Sequence, residues 1–468
     1  MKEHLLDLIQ HALLELKSEG ALDAEIPDAI PIERTRDSSH GDFATPICLA
    51  LAKAARARPR ELAERLVARL PASPRVSKVE IAGPGFINFF LTRNALTAVV
   101  GAVLREDQAY GRGHLEQPPR VQVEFVSANP TGPLHVGHGR GAAYGAALAA
   151  LLEHAGYEVQ REYYVNDAGR QMNILAVSVW LRYLEQHGKR FRFPSNGYRG
   201  DYIKDFAREL DASRGNSLVV ESESLLHELP ADEPDGGDKE VYIDALIARC
   251  IELIGQAEFD RVLAIALQAQ VAEIRDDLRE FGVEYDQWFS ERSLVDSGAV
   301  ESAVAELQAG GYLYRQDGHL WFRSSQFGDE KDRVVVRSNG VGTYFASDIA
   351  YLRDKFARGF DHMIYIWGAD HHGYIARLKA ACSALGHDPH RVEILLVQFA
   401  NLFQGGQRLA MSTRSGEFVT LRELREWVGR DAARFFYAMR RSDQHLDFDL
   451  DLARKRTEEN PVFYVQYA

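Results

Sequence analysis

Residues 121–165 read VQVEFVSANPTGPLHVGHGRGAAYGAALAALLEHAGYEVQREYYV, and the succession of patterns in them sets the fold. VQVEFV is a short β-branched, apolar run of strand type. SANPTGPLH then supplies the Asn, Pro and Gly of a turn. From about His138 to Ala155 the chain is dominated by Ala and Leu, strong helix formers, and after Gly156 the segment YEVQREYYV (157–165) is a strand again. Strand, helix and strand at this spacing make a β-α-β unit of a parallel sheet. Open α/β sheets bind ligands outside the carboxyl ends of their strands. His135 and His138 fall there, on either side of Gly137.

That placement supports three readings. The free N–H groups and dipole of a helix start favour an anion, and Gly137 lets a ligand approach the backbone. Imidazole N–H donors beside them suit charge developing on the α-phosphate of a nucleotide. The same H-x-x-H spacing also fits a metal site, and histidines can simply cap a helix. The short motif alone does not separate these.

Further along, residues 171–328 change to long helical patterns with an acidic, loop-like stretch, HELPADEPDGGDKE (227–240). The α/β pattern resumes with a strand in DRVVVRS (332–338), a helix through Tyr351 to Arg358, a strand in HMIYIW (362–367), a helix from about Gly373 to Leu385 and a strand in RVEILLVQF (391–399). The two stretches read as halves of one doubly wound sheet split by an inserted domain. Residues 1–110 form a separate unit with helices around Leu5–Leu16, 44–57 and 60–70 and two strands in VEIAGPGFINFFL (79–91). Its basic cluster, Lys53, Arg56, Arg58 and Arg60, fits a solvated helix face and an RNA-backbone contact equally. The expected divisions are 1–110, 111–172, 173–330 (the insertion), 331–403, and 404–468, where LRELREWV and ARFFYAMRR read as helices.

The 468 residues exceed what one core holds, so about two to four domains are expected. With 46% hydrophobic and 26% charged residues the composition is that of a globular enzyme. No apolar run is long enough for a membrane span, and MKEHLLDLIQHALLELKSEG carries Glu3, Asp7 and Glu15 where a secretory signal would be uncharged. Cys48, Cys250 and Cys382 are odd in number and far apart, which suits a reducing cytoplasm. The formal charge of −13 does not exclude a nucleic-acid partner, since basic groups can gather on one face.

The stretch VEFVSANPTGPLHVGHGR (123–140), with EYYVNDAGRQ (162–171), GTYFASDIAYLRDK (342–355) and WGADHHGYIARLKAA (367–381), resembles the class I arginyl-tRNA synthetases. GDFATPICLALAK (41–53) and AGPGFINFFL (82–91) resemble that family's N-terminal add-on domain, which approaches the outer corner of the tRNA. The resemblance implies a Rossmann-type catalytic domain, an HIGH-type signature (here HVGH) that holds ATP, a connective insertion and an α+β N-terminal domain. It also implies a helical anticodon-reading domain after a segment like NPVFYVQYA; the chain is expected to lack it.

Implied site residues are Glu124 and Asp348 as guanidinium ligands, which suit five fixed donors on an always-charged group, with Tyr344 on the helical face of Asp348. Taken singly, Glu124 also reads as a strand-end carboxylate and Asp348 as a helix N-cap. Ser127 and Asn129 match positions that hold the substrate's amino and carboxylate groups. Tyr164, Asn166, Asp167 and Gln171 are expected to line the arginine and acceptor-end pocket or to support it. Gly368, Asp370 and His371 would meet adenosine, ribose and phosphates; three adjacent residues, Asp370, His371 and His372, do not converge on one ion.

One segment departs from the family pattern. Where a KMSK-like loop is expected the chain reads GGQRLAMSTRSGE (405–417), with Met411 and Ser412 in place but Ala410 and Thr413 at the lysine positions. Arg408 and Arg414 remain as cations for a leaving pyrophosphate. The resemblance implies ATP-dependent formation of arginyl-adenylate, Mg²⁺ carried by the nucleotide, arginine and tRNA(Arg) as partners, a cytoplasmic monomer, and a first step that needs tRNA. Two rivals stand beside it: an H-x-G-H nucleotidyltransferase that works without tRNA, and a non-catalytic RNA-binding paralogue, to which Ala410 and Thr413 would point.

Overall fold

The computed structural model describes residues 1–27, 29–409 and 418–467. The chain divides into two compact units, Met1–Arg112 and Gly113–Ala468.

In the larger unit, β1 (Arg120–Phe125), β2 (Glu158–Val165), β3 (Gln287–Ser290), β4 (His362–Gly368) and β5 (Val392–Val397) form one sheet in the order β5-β4-β1-β2-β3. Every pairing is parallel. The order reverses between β1 and β4, and the crevice at their carboxyl ends is where such sheets take ligands. Helix α1 (Val136–His154) joins β1 to β2, α2 (Tyr344–Ala357) precedes β4, and α3 (Ile375–Ala384) lies between β4 and β5. The small residues of α1 let it approach the sheet closely: a Cβ on Gly145 would stand 2.3 Å from the Phe125 ring. Val121, Val123 and Phe125 meet Ala142, Ala143 and Ala146 on that face. Alternation puts Gln122 and Glu124 on the other face of β1.

The insertion is helical, with Arg170–Gln186, Asp201–Arg214, Lys239–Ile254 and Gln256–Glu280 enclosing a separate core around Trp180, Leu184, Ile243 and Phe259. Two strands differ from the sequence expectation. Gln287–Ser290, inside the stretch read as insertion, pairs with β2 and completes the parallel sheet. Arg333–Val336 is a strand, but it joins Leu313–Gln316 and His319–Phe322 in a small antiparallel sheet. Periodicity fixes a strand's faces, not its partner.

The smaller unit carries an antiparallel sheet of Glu33–Arg34, Phe43–Thr45, Phe86–Leu91 and Val76–Ala82, in that order, covered by helices Lys2–Ser18 and Pro59–Val67. The expected helix over 44–57 shrinks to Ile47–Leu51, because Phe43–Thr45 pairs with Ile87–Phe89 and Pro46 separates strand from helix.

Candidate active site

His135 is the N-cap of α1 and His138 its third residue. The Gly137 N–H donates to His135 Nδ1 at 3.1 Å, and the His135 N–H donates to His138 Nδ1 at 3.2 Å. The rings stack with centroids 3.7 Å apart. Burial lowers both imidazoles, His138 to about 3 with the neighbouring His135 adding to the effect, so both are neutral at pH 7. In each ring Nδ1 is an acceptor, which puts the single ring proton on Nε2. The corner therefore caps the helix and keeps two neutral Nε2–H donors. The capping and catalytic readings of the motif are compatible. A Cβ on Gly137 would stand 2.8 Å from His135 Cε1, so this geometry requires glycine.

The chain after the undescribed stretch 410–417 is stitched to this corner. Val136 N–H donates to Val419 O at 3.1 Å, and Leu421 N–H to Leu134 O at 2.8 Å, while the His135 ring meets Phe418 edge-on.

His135, Gly137 and His138 line a cavity of about 480 Å³ together with Glu124, Ser127, Asn129, Tyr164, Asn166, Gly368, Asp370 and His371. Gly368 ends β4, and Asp370 and His371 occupy the 3-10 turn Ala369–Tyr374 that follows. Among the described residues no group of three His, Cys, Asp or Glu side chains is placed to hold a metal ion. Just beyond β1, Val126 and Ser127 have positive φ (67° and 41°), an uncommon conformation that clusters at functional sites. Ser127 Oγ accepts from the Tyr164 N–H at 3.1 Å and reaches Glu124 Oε1 at 3.4 Å. Asn166 Nδ2 donates to Asn129 Oδ1, and Asn129 Nδ2 donates to Gln171 Oε1, both at 2.9 Å.

A second cavity, about 270 Å³, shares Tyr164, Asn166, Trp367 and His371 with the first and adds Glu291, Tyr344, Asp348 and Tyr374. Asp348 lies in the second turn of α2, whose N-cap is Thr343, so it caps nothing. Burial raises it to about 6; the Glu124 charge adds to this, and the hydrogen bond from the Tyr374 hydroxyl works against it. Glu291 is raised to about 7, first by burial and then by Asp348, and among the described residues its buried Oε2 has no hydrogen-bond partner. Two desolvated carboxyls line one small space, an arrangement that suits a multidentate cation.

Glu291 was not singled out from the sequence. It opens the helix Glu291–Asp296, where an acidic residue ordinarily answers the helix dipole. Asp167, by contrast, is a support: it accepts from Ser290 Oγ at 2.6 Å and the Arg292 N–H at 2.9 Å. Tyr344 is 53% exposed, at the rim. Arg408 sits in the exposed strand Gln407–Arg408 and lines neither cavity. Ala410, Met411, Ser412, Thr413 and Arg414 lie outside the described residues.

A five-stranded parallel sheet whose switch point carries a histidine-capped helix with two free imidazole donors defines a nucleotide-activating α/β enzyme of the class I synthetase type. Comparison agrees: residues 99–209 and 256–440 match the family model described as tRNA synthetases class I (R), catalytic domain, and residues 3–91 match the arginyl tRNA synthetase N terminal domain. The chain is 59% identical over 468 residues to the arginine–tRNA ligase of Thioalkalivibrio sulfidiphilus and 55% identical to that of Legionella pneumophila strain Paris, covering all of this chain and 80% of each relative. The Thermus thermophilus arginyl-tRNA synthetase structure has the same fold, with a TM-score of 0.60 at 23% identity over 98% of this chain and 79% of that one. The chain belongs to the class I arginyl-tRNA synthetase family.

Proposed function

We propose that this arginine–tRNA ligase forms arginyl-adenylate in the two joined cavities and then transfers the arginyl group to the 3′ end of tRNA(Arg). The observation that carries the assignment is the pair of desolvated carboxyls, half-buried Asp348 and buried Glu291, lining a cavity that shares a wall with the His135–His138 corner. A guanidinium held by Asp348 and Glu291, with Glu124 alongside, would leave the amino acid's polar end near Ser127, Asn129 and Asn166, with Gln171 steadying Asn129. Tyr344 would cover the rim.

The arginine carboxylate attacks the α-phosphate of ATP and pyrophosphate leaves. Neutral Nε2–H donors of His135 and His138 stabilise charge on the crowded phosphorus without surrendering a proton. Gly368, Asp370 and His371 are suited to the nucleoside side, and Mg²⁺ would arrive with the triphosphate. Arg408 and, from the undescribed segment, Ser412 and Arg414 are the proposed partners of the leaving group, with Met411 proposed to contact ATP. Three buried free thiols are compatible with a reducing cytoplasm, and among the described residues no helix is long and apolar enough to cross a membrane.

ATP–pyrophosphate exchange tests this, run with and without tRNA(Arg). Exchange should depend on arginine and fail with citrulline, its neutral isostere. Equal rates with citrulline would overturn the assignment.

A further inference from the structure

Lys355, two turns beyond Asp348 on α2, is 0% exposed. Lysine is among the residues least often fully buried. Its Nζ is 2.5 Å from Glu124 Oε2 and lies over the rings of Tyr365 and Tyr351, 3.8 and 4.1 Å from their centroids. Tyr351 in turn donates to Glu162, which is paired with Arg358. The cation is thus fixed from β1, β4 and its own helix, with the Glu162–Arg358 pair from β2 and α2 behind it. Burial lowers Lys355 from its ordinary value, and the charges of Glu124 and Glu162 push it back up.

A buried ion pair is seldom more stable than an apolar pair of the same volume, so stability alone gives little reason for this lysine. Geometry gives a better one. With Oε2 held by Lys355, the remaining oxygen, Oε1, is near Ser127 on the wall of the cavity that Glu124 lines.

We propose that Lys355 is a positioning residue for arginine recognition: it acts through Glu124 alone, holding Oε2 so that the carboxylate stays turned with Oε1 facing the substrate. The inference rests on the assignment of Glu124 to the guanidinium site. Without the lysine, Oε2 loses its partner and the carboxylate is no longer held in this orientation. Removing the lysine therefore costs the substrate the same contact that removing the glutamate's charge costs.

The test is a double-mutant cycle on the 468-residue chain, read by equilibrium binding of L-arginine and L-citrulline between pH 6 and 9, with circular dichroism to check folding. Glu124→Gln should weaken arginine at least tenfold; wild-type affinity in that variant would refute the assignment of Glu124 itself. Lys355→Met should weaken arginine by a similar factor and narrow the preference over citrulline. A wild-type affinity, or an equal loss for arginine and citrulline, would overturn the positioning role. If Lys355→Met does not fold, the double variant Glu124→Gln/Lys355→Met, which leaves neither charge unpaired, decides the matter. It should bind arginine no worse than Glu124→Gln. A further tenfold loss would show that Lys355 acts through something other than Glu124.

Discussion

The two ends of the cleft are built by opposite means. The nucleotide corner uses neutral groups held by local contacts: two imidazoles, each tied to a backbone N–H within three residues of itself. The proposed arginine pocket uses charges held by distant contacts, with Asp348 bonded to Tyr374, Glu124 to Lys355, and Glu291 brought alongside by a strand far away in sequence. A developing phosphate charge is met by preorganised donors, and these two add no net charge to the site. A permanent guanidinium needs full negative charges, and in a desolvated pocket these require supports from several elements.

The largest effect should come from the charged side. Asp348→Asn leaves a buried guanidinium partly unpaired and should weaken arginine by about 3 to 5 kcal/mol, on the order of a hundredfold or more in Kd, with ATP affinity unchanged. Calorimetric titration of each ligand checks this; a similar loss for ATP would mean the two ends are not separate devices.

His135→Asn is next. Asn is a good N-cap, so thermal stability should stay within a few degrees, while adenylate formation falls about a hundredfold for want of one donor. An inactive variant that has also lost the helix would show that the histidine is structural only. Glu291→Gln should weaken arginine by about 1.5 to 3 kcal/mol, a charge-assisted hydrogen bond's worth.

The pH dependence follows from the raised carboxyls. In the free pocket Glu291 and Asp348 take up protons near pH 7 and 6, whereas the guanidinium stays charged, so arginine must displace protons to bind. Affinity should rise from pH 5.5 to 8, with net proton release at pH 6.5 measured by calorimetry in buffers of different ionisation heat. Flat affinity would contradict the burial of this pair.

The same local–distant difference explains what the sequence disclosed. His135, Gly137 and His138 were readable because the whole device spans four residues and sits at a strand-to-helix turn. Glu124 and Asp348 were reached only through the family resemblance. Glu291 was missed because an acidic residue at a helix start is ordinary, and its meaning comes from β3, whose four residues gave too short a pattern to separate from the insertion. The strand Arg333–Val336 was found but assigned to the wrong sheet, since strand pairing is a tertiary property.

A crystal soaked with L-arginine and a non-hydrolysable ATP analogue measures the relation between the two ends directly. The guanidinium should lie within hydrogen-bond distance of the Asp348 and Glu291 carboxyls, with the α-phosphate beside the Nε2 atoms of His135 and His138. A guanidinium bound elsewhere, or an α-phosphate on the far side of the crevice from His135, would contradict the assignment.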